Sequence, residues 1–121
     1  MKILIVDDSK TIRRIQTNIL NQLGHTQIKE APDGKEALKV AQEFKPDLVL
    51  LDWNMPVMDG ITFLKEYRGS GNKTPVIMVT TEAEKSRVME AIKAGVNNYV
   101  VKPFSPETLG ARVSETMARA A

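Results

Sequence analysis

The sequence predicts an α/β domain in which an open parallel sheet carries helices on both faces. Short aliphatic runs alternate five times with longer amphipathic stretches, and this order is typical of parallel strands joined by right-handed helical crossovers. Three of the runs are almost entirely apolar, as expected of strands that are buried on both faces of a parallel sheet. At 121 residues, the chain has the size of one ordinary domain.

The five aliphatic runs are the predicted strands. The first, third and fourth are the nearly all-apolar ones, and short turns at 45–47 (KPD) and 72–75 (NKTP) lead into the third and fourth. In chain order, the predicted strands cover residues 2–6, 26–30, 47–51, 75–79 and 98–101.

Five helices are predicted from apolar residues that recur at three- and four-residue steps. They cover residues 9–23, 34–44, 59–68, 83–94 and 106–119. The apolar stripe of the first helix is Ile12, Ile15, Ile19 and Leu23; that of the second is Ala37, Leu38, Ala41 and Phe44; that of the fourth is Val88, Met89, Ala91 and Ile92. Gly24 and Gly95 follow the first and fourth helices, as C-cap glycines do.

Composition excludes several classes of protein. Hydrophobic residues make up 42% of the chain and charged residues 26%, which indicates a folded soluble domain and not a disordered chain. The absence of cysteine excludes disulfides, thiolate metal sites and a cysteine nucleophile. No signal peptide or membrane span is found, so a cytoplasmic protein is predicted. The net charge of +2 comes without a Lys/Arg cluster, so no nucleic-acid partner is predicted.

Carboxylates directly follow two of the predicted strands. Asp7 and Asp8 follow the first strand and Asp52 follows the third. The ligand crevice of an open α/β sheet lies outside the carboxyl ends of its strands, so these groups meet if the two strands are neighbours. Like charges at close range raise each other's pKa and repel. Mg²⁺, which prefers oxygen ligands, would relieve that repulsion, and the sequence therefore predicts a magnesium site.

Two further polar residues are predicted at the same edge of the sheet. Thr80 ends the fourth strand and Lys102 follows the fifth. A metal ion, a lysine and a hydroxyl around one carboxylate are the groups that stabilise a transferring phosphoryl group. A carboxylate can itself be the nucleophile and form an aspartyl phosphate. Asp52 is therefore predicted to be a phosphoryl acceptor.

Four motifs together resemble the receiver domains of two-component response regulators: VDD (6–8), DWNMPVMDG (52–60), VTTE (79–82) and YVVKPF (99–104). The resemblance extends along essentially the whole chain. Within that family, the chain is most similar to the stand-alone chemotaxis regulators. It implies a flavodoxin-like (βα)5 doubly wound parallel sheet with strand order 2-1-3-4-5. It also implies a single receiver domain over residues 1–121 with no effector domain.

The resemblance also implies roles for individual residues. Asp52 stands where the family is phosphorylated. Asp8 would bind Mg²⁺ directly and Asp7 partly through water, while Asp52 and the backbone carbonyl of Asn54 complete the metal ligands. These roles make the protein a signalling protein, and not an enzyme beyond its own Mg²⁺-dependent phosphorylation and dephosphorylation.

Further roles follow from the same resemblance at the fourth and fifth strands. Thr80 and Lys102 would contact the phosphoryl oxygens. Thr80 and Tyr99 match the residues that switch between two states. The Lys102–Pro103 peptide bond matches one that is cis in the family.

The resemblance implies partners as well. A histidine kinase of the chemotaxis type would be the phosphodonor, and a phosphatase is a further candidate partner. The target would be a flagellar motor switch protein or another protein that binds the face formed by the fourth helix, the fifth strand and the fifth helix. The protein is predicted to be a monomer that contacts neither nucleic acid nor membrane. A receiver in another two-component phosphorelay is the alternative.

Other interpretations fit parts of the pattern. A single carboxylate at a strand end is commonly a helix N-cap, and Asp59 before Gly60 is interpreted in this way. A phosphatase of the haloacid dehalogenase type also combines an Asp nucleophile with Mg²⁺, Thr and Lys on a parallel sheet. Such an enzyme uses a second Asp two residues after the nucleophile as general acid, where this chain has Asn54. Trp53 is expected to pack in the core and not to stack on a ligand.

Overall fold

Five parallel strands form one sheet in the order β2-β1-β3-β4-β5, and five helices flank it. This arrangement is that of a computed structural model that describes residues 1–120, so residue 121 of the predicted domain lies outside the described residues. In chain order the elements are β1 (Lys2–Val6), α1 (Lys10–Gln22), β2 (Gln27–Ala31), α2 (Gly34–Phe44), β3 (Leu48–Leu51), α3 (Gly60–Gly69), β4 (Val76–Thr80), α4 (Lys85–Ala94), β5 (Asn98–Val101) and α5 (Pro106–Ala120).

The predicted fold class and strand order are both confirmed. The strands β1 and β5 and the helix α2 have the predicted bounds, while β2 and β4 each lie one residue further along the chain. Among the helices of residues 1–120, none combines the length and the apolarity that a bilayer span requires.

The prediction that a helix begins at residue 83 is wrong, because α4 begins at Lys85. Glu84 is the N-cap residue and has an extended backbone, with φ −64° and ψ 139°. The segment before Glu84 does not join the helix. Instead, the backbone carbonyl of Glu82 accepts a hydrogen bond from the Tyr99 hydroxyl at 2.6 Å. Residues 81–84 therefore connect β4 and α4 as irregular chain.

The centre of the sheet explains the all-apolar runs. Strand β3 pairs with β1 on one side and β4 on the other, so that Leu50 lies between Ile5 and Ile77. All four residues of β3 are buried, because helices cover both faces of the sheet. The side chains that alternate along each strand therefore divide into two apolar layers, one on each face.

The predicted apolar face of the first helix is partly wrong. Ile19 is buried, but Ile15 is 43% exposed and Leu23 is 50% exposed, while Gln16 is buried in their place. At about 100° per residue, Ile15 lies roughly 90° around α1 from the centre of the face that packs on the sheet. Leu23 follows the end of the helix and lies against α5, where a Cβ added at Gly110 would meet its Cδ1 at 3.3 Å.

The predicted stripe of the fourth helix is also partly wrong. Ala91 is fully buried, but Met89 is 48% exposed and Ile92 is 55% exposed. Only a narrow face of α4 packs into the apolar layer, since Ala91 is the one buried residue of this helix. The apolar residues beside it are left on the surface of α4.

The loop after β3 contains a strained residue whose replacement should stabilise the protein. Val57 has φ +67° and is 78% exposed, and a β-branched residue with positive φ is a backbone outlier. Asn tolerates this conformation better, so we expect Val57→Asn to raise the free energy of unfolding by about 1 kcal/mol. Urea denaturation measures this change.

A matched control separates backbone strain from the removal of an exposed apolar group. Val101 is 43% exposed and lies in strand β5. Val101→Asn should therefore give no gain in stability, because β5 does not require positive φ. Equal or lower stability of Val57→Asn relative to the wild type would contradict the assignment of strain.

Candidate functional site

Asp52 lies at the carboxyl end of β3, next to the end of β1. Its backbone N–H donates to the carbonyl of Val6 at 2.9 Å, which places it beside the residue that follows β1. Its Oδ1 accepts a hydrogen bond from the N–H of Trp53 at 2.7 Å. The side chain is buried, so its carboxylate needs polar partners within the protein.

Asp7 and Asp8 complete the acidic group predicted from the sequence. Asp7 is 1% exposed, and its Oδ1 accepts a hydrogen bond from the N–H of Ser9 at 2.9 Å. Asp8 is exposed. One carboxylate oxygen from each of Asp7, Asp8 and Asp52 lies within 4.8 Å of the others. The structure thus brings all three predicted carboxylates together.

Lys102 enters this group from the end of β5. Its Nζ donates to Asp7 Oδ2 at 2.6 Å and to Asp52 Oδ2 at 3.0 Å. Its side chain is 13% exposed, so both contacts are shielded from water. The backbone N–H of Lys102 donates to the carbonyl of Thr80 at 2.8 Å, and the following peptide bond, to Pro103, is cis.

The pKa values of two of these groups are displaced by burial and by their contacts. Burial raises the pKa of the Asp7 carboxyl, although hydrogen bonds from Lys102 and Ser9 act in the opposite direction. Burial by itself lowers the pKa of Lys102, but its hydrogen bonds to Asp7 and Asp52 outweigh that effect and raise the pKa. The lysine therefore remains a cation beside the acidic group.

The acidic group fits a hard divalent cation. Three carboxylates meet there, and within residues 1–120 Lys102 is the only cation that forms a salt bridge with any of them. Ligand oxygens on opposite sides of Mg²⁺ are about 4.2 Å apart, so carboxylates separated by up to 4.8 Å need only a small adjustment. Oxygen donors with excess negative charge are also the chemistry that Mg²⁺ and Ca²⁺ prefer.

The remaining predicted residues lie around Glu82, in the segment after β4. Thr80 is fully buried, and its Oγ1 accepts a long hydrogen bond from the N–H of Glu82 at 3.4 Å. The Tyr99 hydroxyl donates to the carbonyl of Glu82 at 2.6 Å. The side-chain amide of Asn54 donates to Glu82 Oε1 at 3.1 Å. Among the described residues, Thr80 makes no side-chain hydrogen bond to Asp52.

Tyr99 is a neutral hydrogen-bond donor in this arrangement. Burial, together with the charges of Glu82 and Asp52, raises the pKa of Tyr99 to about 12. The phenol therefore keeps its proton throughout the physiological pH range, and its contact with Glu82 does not depend on pH there.

Gly60 supports the loop that carries Asp52. The expectation that Asp59 is an N-cap is confirmed, since its Oδ1 accepts a hydrogen bond from the N–H of Thr62 at 2.9 Å. The N–H of Gly60 donates to the carbonyl of Trp53 at 2.8 Å. A Cβ at Gly60 would lie 2.1 Å from the backbone oxygen of Asp52, so only glycine fits.

Two contacts at the site are not predicted by the sequence. The hydroxyl of Tyr99 donates to a backbone carbonyl. Every residue has such a carbonyl, so no residue type in the sequence predicts the contact. The guanidinium of Arg87, on α4, lies over the ring of Trp53. The sequence separation of these partners conceals the contacts, and only the fold brings them together.

Comparisons with known proteins agree with this geometry. The family described as response regulator receiver domain matches residues 3–114. A chemotaxis protein CheY homolog of Campylobacter jejuni is 46% identical over 120 residues, which are 97% of this chain and 92% of that protein. The chemotaxis protein CheY of Pseudomonas aeruginosa is 46% identical over 121 residues, 98% of each chain.

A solved structure is similar along nearly its whole length. Chemotaxis protein CheY4 of Vibrio cholerae has a TM-score of 0.88 and 39% sequence identity, covering 95% of this chain and 97% of that one. The family match spans the strands that carry the acidic group and the lysine, and the strand order is the one that the resemblance implies. The chain therefore belongs to the response regulator receiver domain family.

Proposed function

We propose that this protein is a phosphorylation-dependent signalling receiver in which Asp52 accepts a phosphoryl group from a histidine kinase. The observation that carries the proposal is the grouping of Asp52 with Asp7, Asp8 and the Lys102 ammonium at one edge of the sheet. Mg²⁺ would be held by the three carboxylates and the backbone carbonyl of Asn54. When bound, it would supply positive charge for the phosphoryl oxygens.

The residues of the chain support direct transfer to Asp52. An oxygen of the Asp52 carboxylate attacks phosphorus, the P–N bond of the phosphohistidine breaks, and the imidazole leaves with the bonding electron pair and takes up a proton. Lys102 Nζ, at 3.0 Å from Asp52 Oδ2, is placed to pair with a phosphoryl oxygen. The Thr80 hydroxyl provides a second donor. Both groups stabilise charge on the transferred phosphoryl group.

Stoichiometric labelling by a small acyl phosphate tests the proposal. With Mg²⁺ present, we expect one labile label per chain and release of the corresponding carboxylate. A phosphatase would instead turn over many phosphate esters per chain. The receiver is favoured because the position two residues after Asp52 is Asn54, whose amide contacts Glu82 and offers no acidic proton.

Mg²⁺ affinity is expected to depend strongly on Asp8. Asp8→Ala removes an exposed carboxylate from the group, and Mg²⁺ has few protein ligands to spare. We expect the affinity to fall by at least about tenfold, since the loss of a charged ligand costs more than an exposed ion pair does. Fluorescence of Trp53 during Mg²⁺ titration measures this, because Trp53 is adjacent to Asp52.

Glu43→Ala is the control for the loss of one negative charge. Glu43 is exposed on α2 and is not a member of the acidic group. The variant should bind Mg²⁺ as the wild type does. Equal Mg²⁺ affinity of Asp8→Ala and the wild type would remove Asp8 from the proposed site.

The output surface that we propose consists of α4, β5 and α5. Three exposed apolar residues lie on its first two elements: Met89 is 48%, Ile92 is 55% and Val101 is 43% exposed. Exposed apolar side chains of this kind suit a protein partner. Relatives carry the name chemotaxis protein, so the proposed target is a flagellar motor switch protein, with a chemotaxis histidine kinase as donor. Another phosphorelay is the alternative.

Thr80 is proposed to transmit the phosphorylated state to that surface. A ligand can shift a conformational equilibrium only through contacts that differ between the states. Within residues 1–120 the Thr80 hydroxyl makes only the 3.4 Å contact with the N–H of Glu82, so it is free to bond a phosphoryl oxygen. Such movement leaves space into which Tyr99 can turn, and Tyr99 lies on β5, within the output surface.

The variant Thr80→Ala should accept the label but respond little to it. A coupling free energy of about 1–3 kcal/mol corresponds to a gain of about 5- to 150-fold in the target affinity of the wild type on labelling. In Thr80→Ala we expect the target affinity to rise by less than about twofold. Thr81→Ala, at the exposed neighbouring position, should keep the full gain. The measurement is the affinity for the purified target with and without acyl phosphate. If Thr80→Ala showed the full gain in target affinity, transmission through Thr80 would be excluded.

The lifetime of the label is proposed to depend on Asn54 and Glu82. Their contact at 3.1 Å joins the loop after β3 to the segment after β4, and we propose that this pair borders the path of the attacking water. A phosphatase that adds a group to orient this water would speed hydrolysis.

We propose that the protein acts as a monomeric receiver in the cytoplasm.

A further inference from the structure

The first turn of α4 contacts the loop after β3 through Arg87. The Cζ atom of Arg87 lies 5.1 Å from the centroid of the Trp53 ring, within the range of a cation–π interaction. Trp53 is 4% exposed, and its backbone N–H donates to Asp52 Oδ1 at 2.7 Å. A residue of the output surface therefore rests on the immediate neighbour of Asp52.

Arg87 has no strong competing partner among the described residues. Its Nη1 lies 3.7 Å from Glu90 Oε1, where both side chains are nearly half exposed, and such an exposed pair is weak. No hydrogen bond from its guanidinium is formed within residues 1–120. The face of the Trp53 ring is thus the best-defined contact of this side chain.

The start of α4 is otherwise held by few interactions. In the described part of the chain its N-cap residue, Glu84, makes no side-chain capping hydrogen bond, and the first turn of the helix contains no acidic residue. The preceding segment depends on the contacts of Glu82 with Tyr99 and Asn54. A helix end with few restraints is displaced more easily than one that is fixed by a side-chain cap, so the contact with Trp53 can contribute to the position of α4.

The charge of Arg87 also acts on Tyr99, the proposed switch residue. Its positive charge acts to lower the pKa of Tyr99, against the larger effect of burial. The guanidinium is therefore within electrostatic range of both Trp53 and Tyr99. A negative phosphoryl group on Asp52 would change the electrostatic energy of this cation, because phosphorylation adds nearly two negative charges.

We propose that Arg87 is a positioning residue that couples the orientation of α4 to the state of Asp52 through the ring of Trp53. The inference rests on the proposed function, since Asp52 must carry the phosphoryl group for coupling to operate. The contact itself exists in the unlabelled protein and can be tested without phosphorylation. Arg87 would not contact the reacting atoms, so labelling should proceed without it.

The first experiment examines the unlabelled protein. Removal of the cation from the indole in Arg87→Gln should change the Trp53 emission and increase its quenching by iodide, because the ring face becomes more accessible. Arg87→Lys, which retains a cation, should fall between this variant and the wild type. Lys85→Gln removes a positive charge from the same turn and should leave the emission unchanged. Wild-type emission and quenching in Arg87→Gln would overturn the contact.

The second experiment measures amide hydrogen exchange of residues 86–89 before and after labelling with acetyl phosphate and Mg²⁺. The wild type and Lys85→Gln should show a label-dependent change in exchange rate. In Arg87→Gln we expect this change to shrink by about two- to fivefold, which corresponds to the loss of one exposed cation–π contact. Labelling itself should keep its wild-type rate. An undiminished change in Arg87→Gln would overturn the inference.

The two proposals fail in different ways. If the wild type takes no label, the proposed function fails, and the iodide experiment still reports on the Arg87–Trp53 contact. If the wild type is labelled and α4 responds equally in Arg87→Gln, the function stands and Arg87 has no part in coupling.

Discussion

Replacement of Asp52 by asparagine should abolish labelling by acyl phosphate. The side-chain amide introduced by Asp52→Asn cannot act as the carboxylate nucleophile that forms an aspartyl phosphate. Its shape is nearly the same, and its single oxygen can keep one of the two hydrogen bonds, either that from the Trp53 N–H to Oδ1 or that from Lys102 Nζ to Oδ2. We therefore expect the fold and the free energy of unfolding to change little, while the label falls to background. Mass spectrometry of the intact protein measures this.

Asp59→Asn provides a matched control in the same loop. Asp59 accepts a hydrogen bond from the N–H of Thr62 as the N-cap of α3, and asparagine is an equally good N-cap. This variant should therefore take one label per chain, as the wild type does. Undiminished label in Asp52→Asn would show that another residue is the acceptor and would overturn the proposed function.

Gly60→Ala should have the largest effect on the scaffold of the site. A Cβ at this position would lie 2.1 Å from the backbone oxygen of Asp52 and 3.0 Å from Trp53 Cα. Both neighbours are backbone atoms, so relief of the clash must displace the loop that carries Asp52. We expect a loss of about 3 kcal/mol in the free energy of unfolding, the upper part of the range for overpacking, together with slower labelling.

Gly69→Ala is the control within the same helix. Within residues 1–120, a Cβ at Gly69 would have no heavy atom within 4 Å apart from its chain neighbours and the backbone of its own helix. Alanine is favoured over glycine in a helix by about 1 kcal/mol. This variant should be as stable as the wild type or slightly more stable, with normal labelling. Urea denaturation compares the two variants. Equal stability of Gly60→Ala and Gly69→Ala would show that the loop does not approach α3 as described.

The sequence alone determined the fold class and the edge of the sheet at which the site lies. Runs such as Leu48–Leu51 are apolar at every position, which only a strand buried on both faces requires. In a parallel sheet all carboxyl ends share one edge, so Asp7, Asp52 and Lys102 must lie at that edge once the strands are assigned. The resemblance to receiver domains then supplied the strand order, which local patterns do not contain.

The tertiary structure alone decided which faces of the helices are buried. Periodicity places Ile15 and Ile19 on one side of α1, yet Ile15 is exposed and Gln16 is buried. The buried arc depends on how the helix is rotated about its axis when it packs, and residues three or four apart on its flanks satisfy the same pattern. The exposed Met89 and Ile92 of α4 have the same cause.

Contacts between distant segments were likewise decided only by the fold. Tyr99 bonds the carbonyl of Glu82, and a backbone carbonyl is present at every position, so no residue type signals it. Arg87 meets Trp53 because α4 packs beside the loop after β3, although the two residues are far apart in the chain. The sequence thus specifies which chemical groups reach the edge of the sheet, because strand ends place them there. Their connection to the helices depends on packing, which arises only when the whole chain is folded.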